Sequence, residues 1–441
     1  MADPAGGGLI AMAEARDVVV LGGGPAGSTA AILLAREGWK VTLLEKERFP
    51  RFHIGESLLP FGNTLLKDLG IWEDLVQGGF TVKPGADFHA GDGHGMLRSD
   101  FSRFLGEEFG RTFQVDRASF DHLLLRKAGE AGAEVREGTR AEVVELGSGG
   151  VRVRAHGESG AEDYEARWLL DCTGRDATVG RHLGLPKSDL GMAKKLAVYA
   201  HFRGVRRNEG AWEGNISIVR LEGGWFWIIP LREGITSVGL VQPMARFREA
   251  GGEPREVFER ACTGSPEMRF RMKAAERASD WHITSDYTFR HHRTAGARWI
   301  LCGDAAGFID PIFSSGVRVA MESAARAARL AGRCLKEGRG LSASEQADYH
   351  RKFVRMTGAF LRMIRMFYDN HGFEVFINAS GLLGLQRAVV DVVGGNTEPS
   401  WGVKWRQELF FAICRLQRWV KFAPRLPLFT AAARARAAAE A

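Results

Sequence analysis

A chain of 441 residues, 45% apolar and 26% charged, with a formal net charge of +7, is long enough to bury a large core and carry a second region grafted on it. It contains no run of 18 apolar residues, which argues against a helical membrane span, and its arginines are dispersed without a recognised module, which argues against nucleic acid. Five cysteines, none in a C-x-x-C spacing, point to a reducing, cytoplasmic setting and away from structural zinc or any other metal site.

The first 14 residues and the Ala/Arg tail 431–441 read as flexible, the former without the apolar stretch of a secretory signal. An apolar run at 17–21 enters Gly22-Gly23-Gly24-Pro25-Ala26-Gly27, continues as a small-residue helix over 26–37, and reaches a second strand at 40–45. The spacing of Gly22, Gly24 and Gly27 between strand and helix is a dinucleotide fingerprint, in which the turn needs positive φ and a pyrophosphate must approach the backbone closely. Phosphate then meets the free N–H groups of the helix start, around Pro25 and Ala26. Glu45, closing the second strand, is placed to accept from ribose hydroxyls and disfavours a 2′-phosphate, so FAD or NAD is expected.

Further along, 135–289 alternates short β-branched and aromatic runs with polar turns and reads as mostly antiparallel sheet. A buried strand at 299–302 leads through Gly303-Asp304 to a helix over 315–338, after which the pattern is helical. Segment 405–429 interleaves Arg406, Arg415, Arg418 and Lys421 with Leu409, Phe410, Ile413 and Trp419. That pattern suits a cap helix packed on its own core, or a surface for a membrane or an acidic carrier protein.

Two runs narrow the chemistry: Trp225-Phe226-Trp227-Ile228-Ile229-Pro230, a W-x-W-x-I-P sequence, and Phe308 to Gly316, an F-x-x-P-x-x-S-x-G sequence. With the glycine loop they make the chain resemble the flavin-dependent halogenases, from residue 18 to about 368. The resemblance implies an α/β fold. A Rossmann-like FAD domain of the glutathione-reductase and aromatic-hydroxylase type is expected over 15–190 and 280–345. An antiparallel β-sheet substrate region (191–279) and a helical C-terminal cap (346–430) complete it. It implies FAD held by the glycine loop, Glu45, Arg117 in Asp116-Arg117-Ala118-Ser119, and Gly303-Asp304.

In such enzymes reduced flavin and dioxygen turn halide into hypohalous acid, which travels through a tunnel to an electron-rich ring. The resemblance places chloride or bromide at the backbone of Ser315 and Gly316. It makes Trp225 and Trp227, which share one strand face, a barrier between flavin and substrate. The resemblance makes Lys83, in Phe80-x-x-Lys83-x-Gly85-x-x-Phe88, the cation expected to hold the oxidant; Lys67 reads as a solvated helix lysine by comparison. The run Gly55-Glu56-Ser57-Leu58-Leu59-Pro60 resembles the segment that closes over the flavin. Phe313 stands where tryptophan halogenases carry a glutamate that helps deprotonate the ring. A phenol or pyrrole, free or carrier-tethered, is therefore favoured over free tryptophan.

Asp171-Cys172-Thr173-Gly174 replaces the Asp-Gly motif that serves NADPH in aromatic hydroxylases, and there is no second fingerprint. A separate flavin reductase is therefore expected to supply reduced FAD. A covalent flavin link through Asp286 is a further expectation from one relative. Two readings compete with halogenation. One is a monooxygenase or a reductase of the geranylgeranyl-reductase kind; the other is a halogenase-like protein that binds flavin without halogenating.

Overall fold

The computed structural model describes residues 15–285, 288–381 and 384–429. Its first sheet runs 134–136, 41–44, 15–21, 160–171, 151–157, 140–146, with 299–301 also paired to 160–171. Strands Ala15–Leu21, Val41–Leu44, Trp299–Leu301 and the second half of Gly160–Asp171 are mutually parallel. Their carboxyl ends therefore gather Gly22, Glu45, Cys172 and Cys302 on one edge, the place where open parallel sheets bind ligands. Strands Val18 to Leu21 are buried on both faces, as parallel strands flanked by helices must be.

Helix Pro25–Arg36 packs against helix Ser315–Lys336. Small residues make that close approach possible: Ala30 and Ala31 on one side, Ala324, Ala327, Ala328 and Ala331 on the other, all buried.

The second sheet runs 276–277, 195–203, 236–243, 225–230, 216–220, 85–90, 96–100, with 282–285 beside 195–203. Two of its strands, Gly85–Ala90 and Met96–Asp100, come from early in the chain and pair onto the middle region. Residues 244–272, which the sequence reads as sheet, instead form helices Met244–Ala250, Pro254–Gly264 and Pro266–Met272. Each of the last two starts on an acceptor followed by proline, Glu253-Pro254 and Ser265-Pro266, the residue pair a helix start favours.

From residue 343 the chain is helical: Ala343–Tyr368, Asn370–Ile377, Gln386–Val393 and Trp401–Leu416. The cap is fastened to the second sheet by aromatic edges. Phe88 lies 4.9 Å from Phe376 and 6.0 Å from Phe313, while Phe313 lies 5.8 Å from Phe367. Helix Trp401–Leu416 turns Val403, Phe410, Phe411 and Ile413 inward and leaves Trp401, Trp405 and, just beyond, Trp419 exposed. No helix among the described residues is long and apolar enough to cross a membrane.

Candidate active site

A cavity of about 750 Å³ opens at the carboxyl edge of the first sheet and runs toward the second. At one end lie Gly22, Gly24, Pro25, Ala26 and Glu45; at the other, Trp225, Trp227 and Ser314. Gly22 has φ +94°, and a Cβ on Gly27 would stand 1.8 Å from the Gly22 carbonyl oxygen. Both positions therefore require glycine. Gly24 is different, because a Cβ there would meet only the tip of Arg51 at 3.6 Å, leaving the backbone open to a ligand. Gly24 also caps the following helix without a side-chain hydrogen bond, so the first-turn amides are available to an anion. These features fit a dinucleotide pyrophosphate.

Glu45 lines this cavity while its carboxylate accepts from Gly23 N–H (2.6 Å) and Glu47 N–H (2.8 Å), so it also fixes the glycine loop. Asp304, on a one-turn 3₁₀ helix with Gly303, faces the same space, and burial pushes its carboxyl up to about 6. Arg117 reaches the cavity too, but its guanidinium is committed. It forms a bidentate pair with Asp121 (2.7 and 2.8 Å) and donates to the Ile54 carbonyl at 2.7 Å. Its position therefore anchors the strap 51–57, which lines the cavity at Arg51 and from His53 to Ser57.

The strap has a second fastening that the sequence did not indicate. Phe52 stacks on His282 with ring centroids 3.9 Å apart, and Glu56 meets His201 at 2.7 Å. Burial pushes the His201 imidazole down, but the hydrogen bond and charge of Glu56 outweigh it and leave the group raised. A raised folded value means the pair's contribution is present at low pH and is lost as pH rises through that value. We expect the strap to loosen as pH rises through the raised His201 value, read as a fall in amide protection over 51–57 once the intrinsic base-catalysed rise in exchange rate is divided out. That fall in protection should vanish in His201→Asn.

Trp225 and Trp227 project from strand Trp225–Pro230 into the cavity with ring centroids 5.9 Å apart. Trp227 lies opposite Gly239, where a Cβ would come within 2.2 Å of the indole. That glycine makes room for the ring, a requirement that only cross-strand register reveals. Trp227 Nε1 donates to Ser237 at 3.0 Å, and Trp225 Nε1 donates to the Tyr368 hydroxyl at 2.7 Å.

Ser314 takes the left-handed conformation (φ +55°) and starts helix Ser315–Lys336 without a side-chain cap. The amides of Ser315 and Gly316 therefore open that helix. Ser314 and Gly316 line the cavity, whereas Ser315 is buried behind them. Just upstream, Asp310 caps the turn Pro311–Phe313 through the Ile312 N–H (3.0 Å).

Lys83 closes strand Thr81–Lys83, which pairs with Thr112–Gln114, and Ser57 bridges to Gln114 on the same small sheet. The amine donates to Ser57 Oγ at 2.9 Å and to the Leu58 carbonyl at 2.8 Å, and lies 5.6 Å from the Phe101 ring centroid. It is 1% exposed, and burial alone lowers its amine to about 7. Lys83 is not on the wall of the cavity. Ser57 is, so one hydroxyl separates the amine from the cavity. Lys67, by contrast, is exposed over Trp72.

Sequence reasoning missed three residues here. Lys195, Asp310 and Tyr368 form a buried polar chain with Trp225. Asp310 sits inside a recognised motif, but nothing local tells that its partners lie at 195 and 368. Asp286 lies outside the described residues. No cluster of metal-ligating side chains occurs among the described residues, and all five cysteines are unpaired.

Residues 15–355 match the FAD binding domain family. A 1H-pyrrole-2-carbonyl-(peptidyl-carrier protein) chlorinase of Pseudomonas fluorescens is 34% identical over 70% of this chain and 74% of its own. A tryptophan 2-halogenase of Chondromyces crocatus is 36% identical over 70% of this chain and 60% of its own. Among solved structures, the flavin-dependent brominase Bmp2 superposes with a TM-score of 0.82 at 29% identity, covering 92% of this chain and 99% of that one.

Proposed function

The chain belongs to the flavin-dependent halogenases, and from that membership we propose that it halogenates a pyrrole or phenol, free or tethered to a carrier protein, with Lys83 steering the oxidant. The observation that carries this reading is the single cavity joining the glycine loop to the Trp225–Trp227 wall and the Ser314–Gly316 turn, with a buried lysine behind Ser57.

Bound at the glycine loop, reduced FAD would supply, with dioxygen, the oxidising power that turns chloride or bromide into hypohalous acid. The protein's part is to bind, separate and deliver. Glycine-loop amides and Glu45 hold the dinucleotide, with Asp304 and Arg117 beside it. Amides of Ser315 and Gly316 offer the halide an anion pocket at a helix start. Trp225 and Trp227 keep the organic substrate off the flavin. Lys83 then acts from behind Ser57: its amine donates to the Ser57 hydroxyl, which in turn donates to the hypohalous oxygen and polarises the halogen toward the ring. The ring attacks the halogen, the oxygen–halogen bond breaks, and the oxygen leaves as water with the proton that the ring gives up.

A pyrrole or phenol suits this arrangement because Phe313 is packed among Phe88, Phe367 and Phe376 and offers no carboxylate to assist ring deprotonation. The carrier-tethered form draws support from the pyrrolyl-carrier chlorinase among its relatives. A separate reductase supplies the reduced FAD, in keeping with a sequence that holds one dinucleotide fingerprint. A reducing, cytoplasmic compartment is in keeping with the free cysteines.

The test is an assay with FAD, NADH, a flavin reductase and bromide or chloride. Free pyrroles, phenols and indoles, and a pyrrolyl-loaded carrier, are presented in turn and products are read by mass. Halogenated pyrrole or phenol is the expected outcome. Hydroxylated product would move the chain to the monooxygenases, ring saturation to the reductases, and indole halogenation alone would overturn the role given to Phe313.

A further inference from the structure

Two lysines are buried beside this cavity, and their surroundings are opposite. Lys83 donates to a hydroxyl and a carbonyl. Lys195, 2% exposed at the start of strand Lys195–Arg203, forms an ion pair of 2.8 Å with Asp310, which is fully buried. Unlike Lys83, Lys195 lines the cavity itself, alongside Trp225, Pro311 and Ser314.

The same Asp310 Oδ2 accepts the Tyr368 hydroxyl at 2.9 Å, and that hydroxyl accepts Trp225 Nε1 at 2.7 Å. Burial, with Asp310 alongside, holds the Tyr368 phenol well above its usual range, so it stays a donor. Lys195 Nζ also lies 4.5 Å from the Tyr368 ring centroid and donates to the Ala193 carbonyl at 3.3 Å. Asp310 Oδ1 meanwhile fixes the turn through Ile312 N–H. One carboxylate thus orders the turn that leads into Ser315 and Gly316, and orders Trp225 through Tyr368.

That arrangement carries an electrostatic problem. A carboxylate is a good cap for the turn, yet that turn leads through Ser314 directly into the helix start whose amides receive the anion in the proposed reading. In a low-dielectric interior such repulsion is felt strongly. We propose that Lys195 is a positioning residue for the halide. Its ammonium neutralises Asp310, so that the carboxylate keeps its structural bonds without repelling chloride or bromide at the Ser315–Gly316 turn. This rests on the reading that those amides hold the halide.

The experiment measures chloride binding to the FAD-loaded, oxidised protein without turnover, by ³⁵Cl line broadening, in wild type, Lys195→Met, Asp310→Asn and the double variant. An unneutralised buried carboxylate should weaken chloride binding by about tenfold or more in Lys195→Met. Asp310→Asn, which keeps an acceptor for Ile312 N–H and removes the charge, should bind chloride at least as tightly as wild type. The double variant should recover to within about threefold of wild type, since both charges are gone.

A purely structural role for the pair predicts loss in all three variants, and that result would overturn the proposal. So would wild-type affinity in Lys195→Met. If Lys195→Met does not fold, the sign of the Asp310→Asn effect decides alone: tighter or equal binding supports the proposal, weaker binding overturns it. Wild type with no saturable chloride signal would instead remove the assignment of Ser315 and Gly316, and the proposal with it.

Discussion

Lys83→Met should abolish halogenated product, by at least about a hundredfold in kcat/KM, while FAD still binds and reduced flavin is still consumed. Methionine matches the length and apolar stem of lysine, so the strand pairing with Thr112–Gln114 and the contact with Phe101 can persist. What disappears is a buried charged donor, with its bonds to Ser57 and Leu58. Lys83→Arg should not rescue. A guanidinium stays charged and needs more donors satisfied than this pocket provides. Retained flavin consumption without halogenated product separates delivery of the oxidant from its formation; if product survives the substitution, Lys83 has no part in delivery.

The titration of Lys83 gives the same idea an independent reading. Burial brings the amine from 10.5 down to about 7, so the fraction carrying the polarising proton changes near neutrality. Halogenation per flavin oxidised should fall as pH rises through about 7, and the turn should be missing from the residual signal of Lys83→Met. The opposite slope would assign the step to the neutral amine. Stability carries the same mark. Between about 7 and 10.5 the unfolded state binds one more proton at this lysine than the folded state. Unfolding free energy therefore rises with pH across that window and loses that increment as pH falls back through it. Lys83→Met should lack that slope.

What the sequence made legible was whatever is encoded contiguously. Gly22 to Gly27 specify their own backbone, and Glu45 and Asp304 follow from being the residues at which parallel strands end. Trp225 and Trp227 share a face because strand periodicity is 2. What stayed hidden depends on register and on distant partners. Gly239 matters only because it falls opposite Trp227, and Lys195 only because the chain folds it against Asp310. The barrier position of Ser57, between Lys83 and the cavity, follows from its bridge to Gln114, which no local pattern announces. The helices within 244–272 were missed for another reason. At 7, 11 and 7 residues they are too short for a 3.6-residue period to stand out, so their capping residues are the usable signal.

The second large effect separates two glycines that a motif treats alike. Gly27→Ala places a Cβ 1.8 Å from the Gly22 carbonyl oxygen, and Gly22 is itself wedged near the Cys172 backbone, where a Cβ of its own would come within 2.5 Å. Neither neighbour is the tip of a flexible side chain, so helix Pro25–Arg36 must move off strand Ala15–Leu21. Displacing a buried helix this way costs about 3 kcal/mol or more. Gly27→Ala should therefore lower the melting temperature of the FAD-free protein and also abolish FAD binding. Gly24→Ala meets only Arg51 at 3.6 Å, so the FAD-free protein should melt within about 2 °C of wild type. Its new methyl nevertheless stands where a pyrophosphate must approach, and FAD affinity should fall by about a hundredfold. Thermal melts of the two FAD-free variants, set beside FAD titrations, distinguish the glycine that packs the fold from the one that faces the cofactor. If Gly24→Ala binds FAD as wild type does, the pyrophosphate lies elsewhere than on this loop.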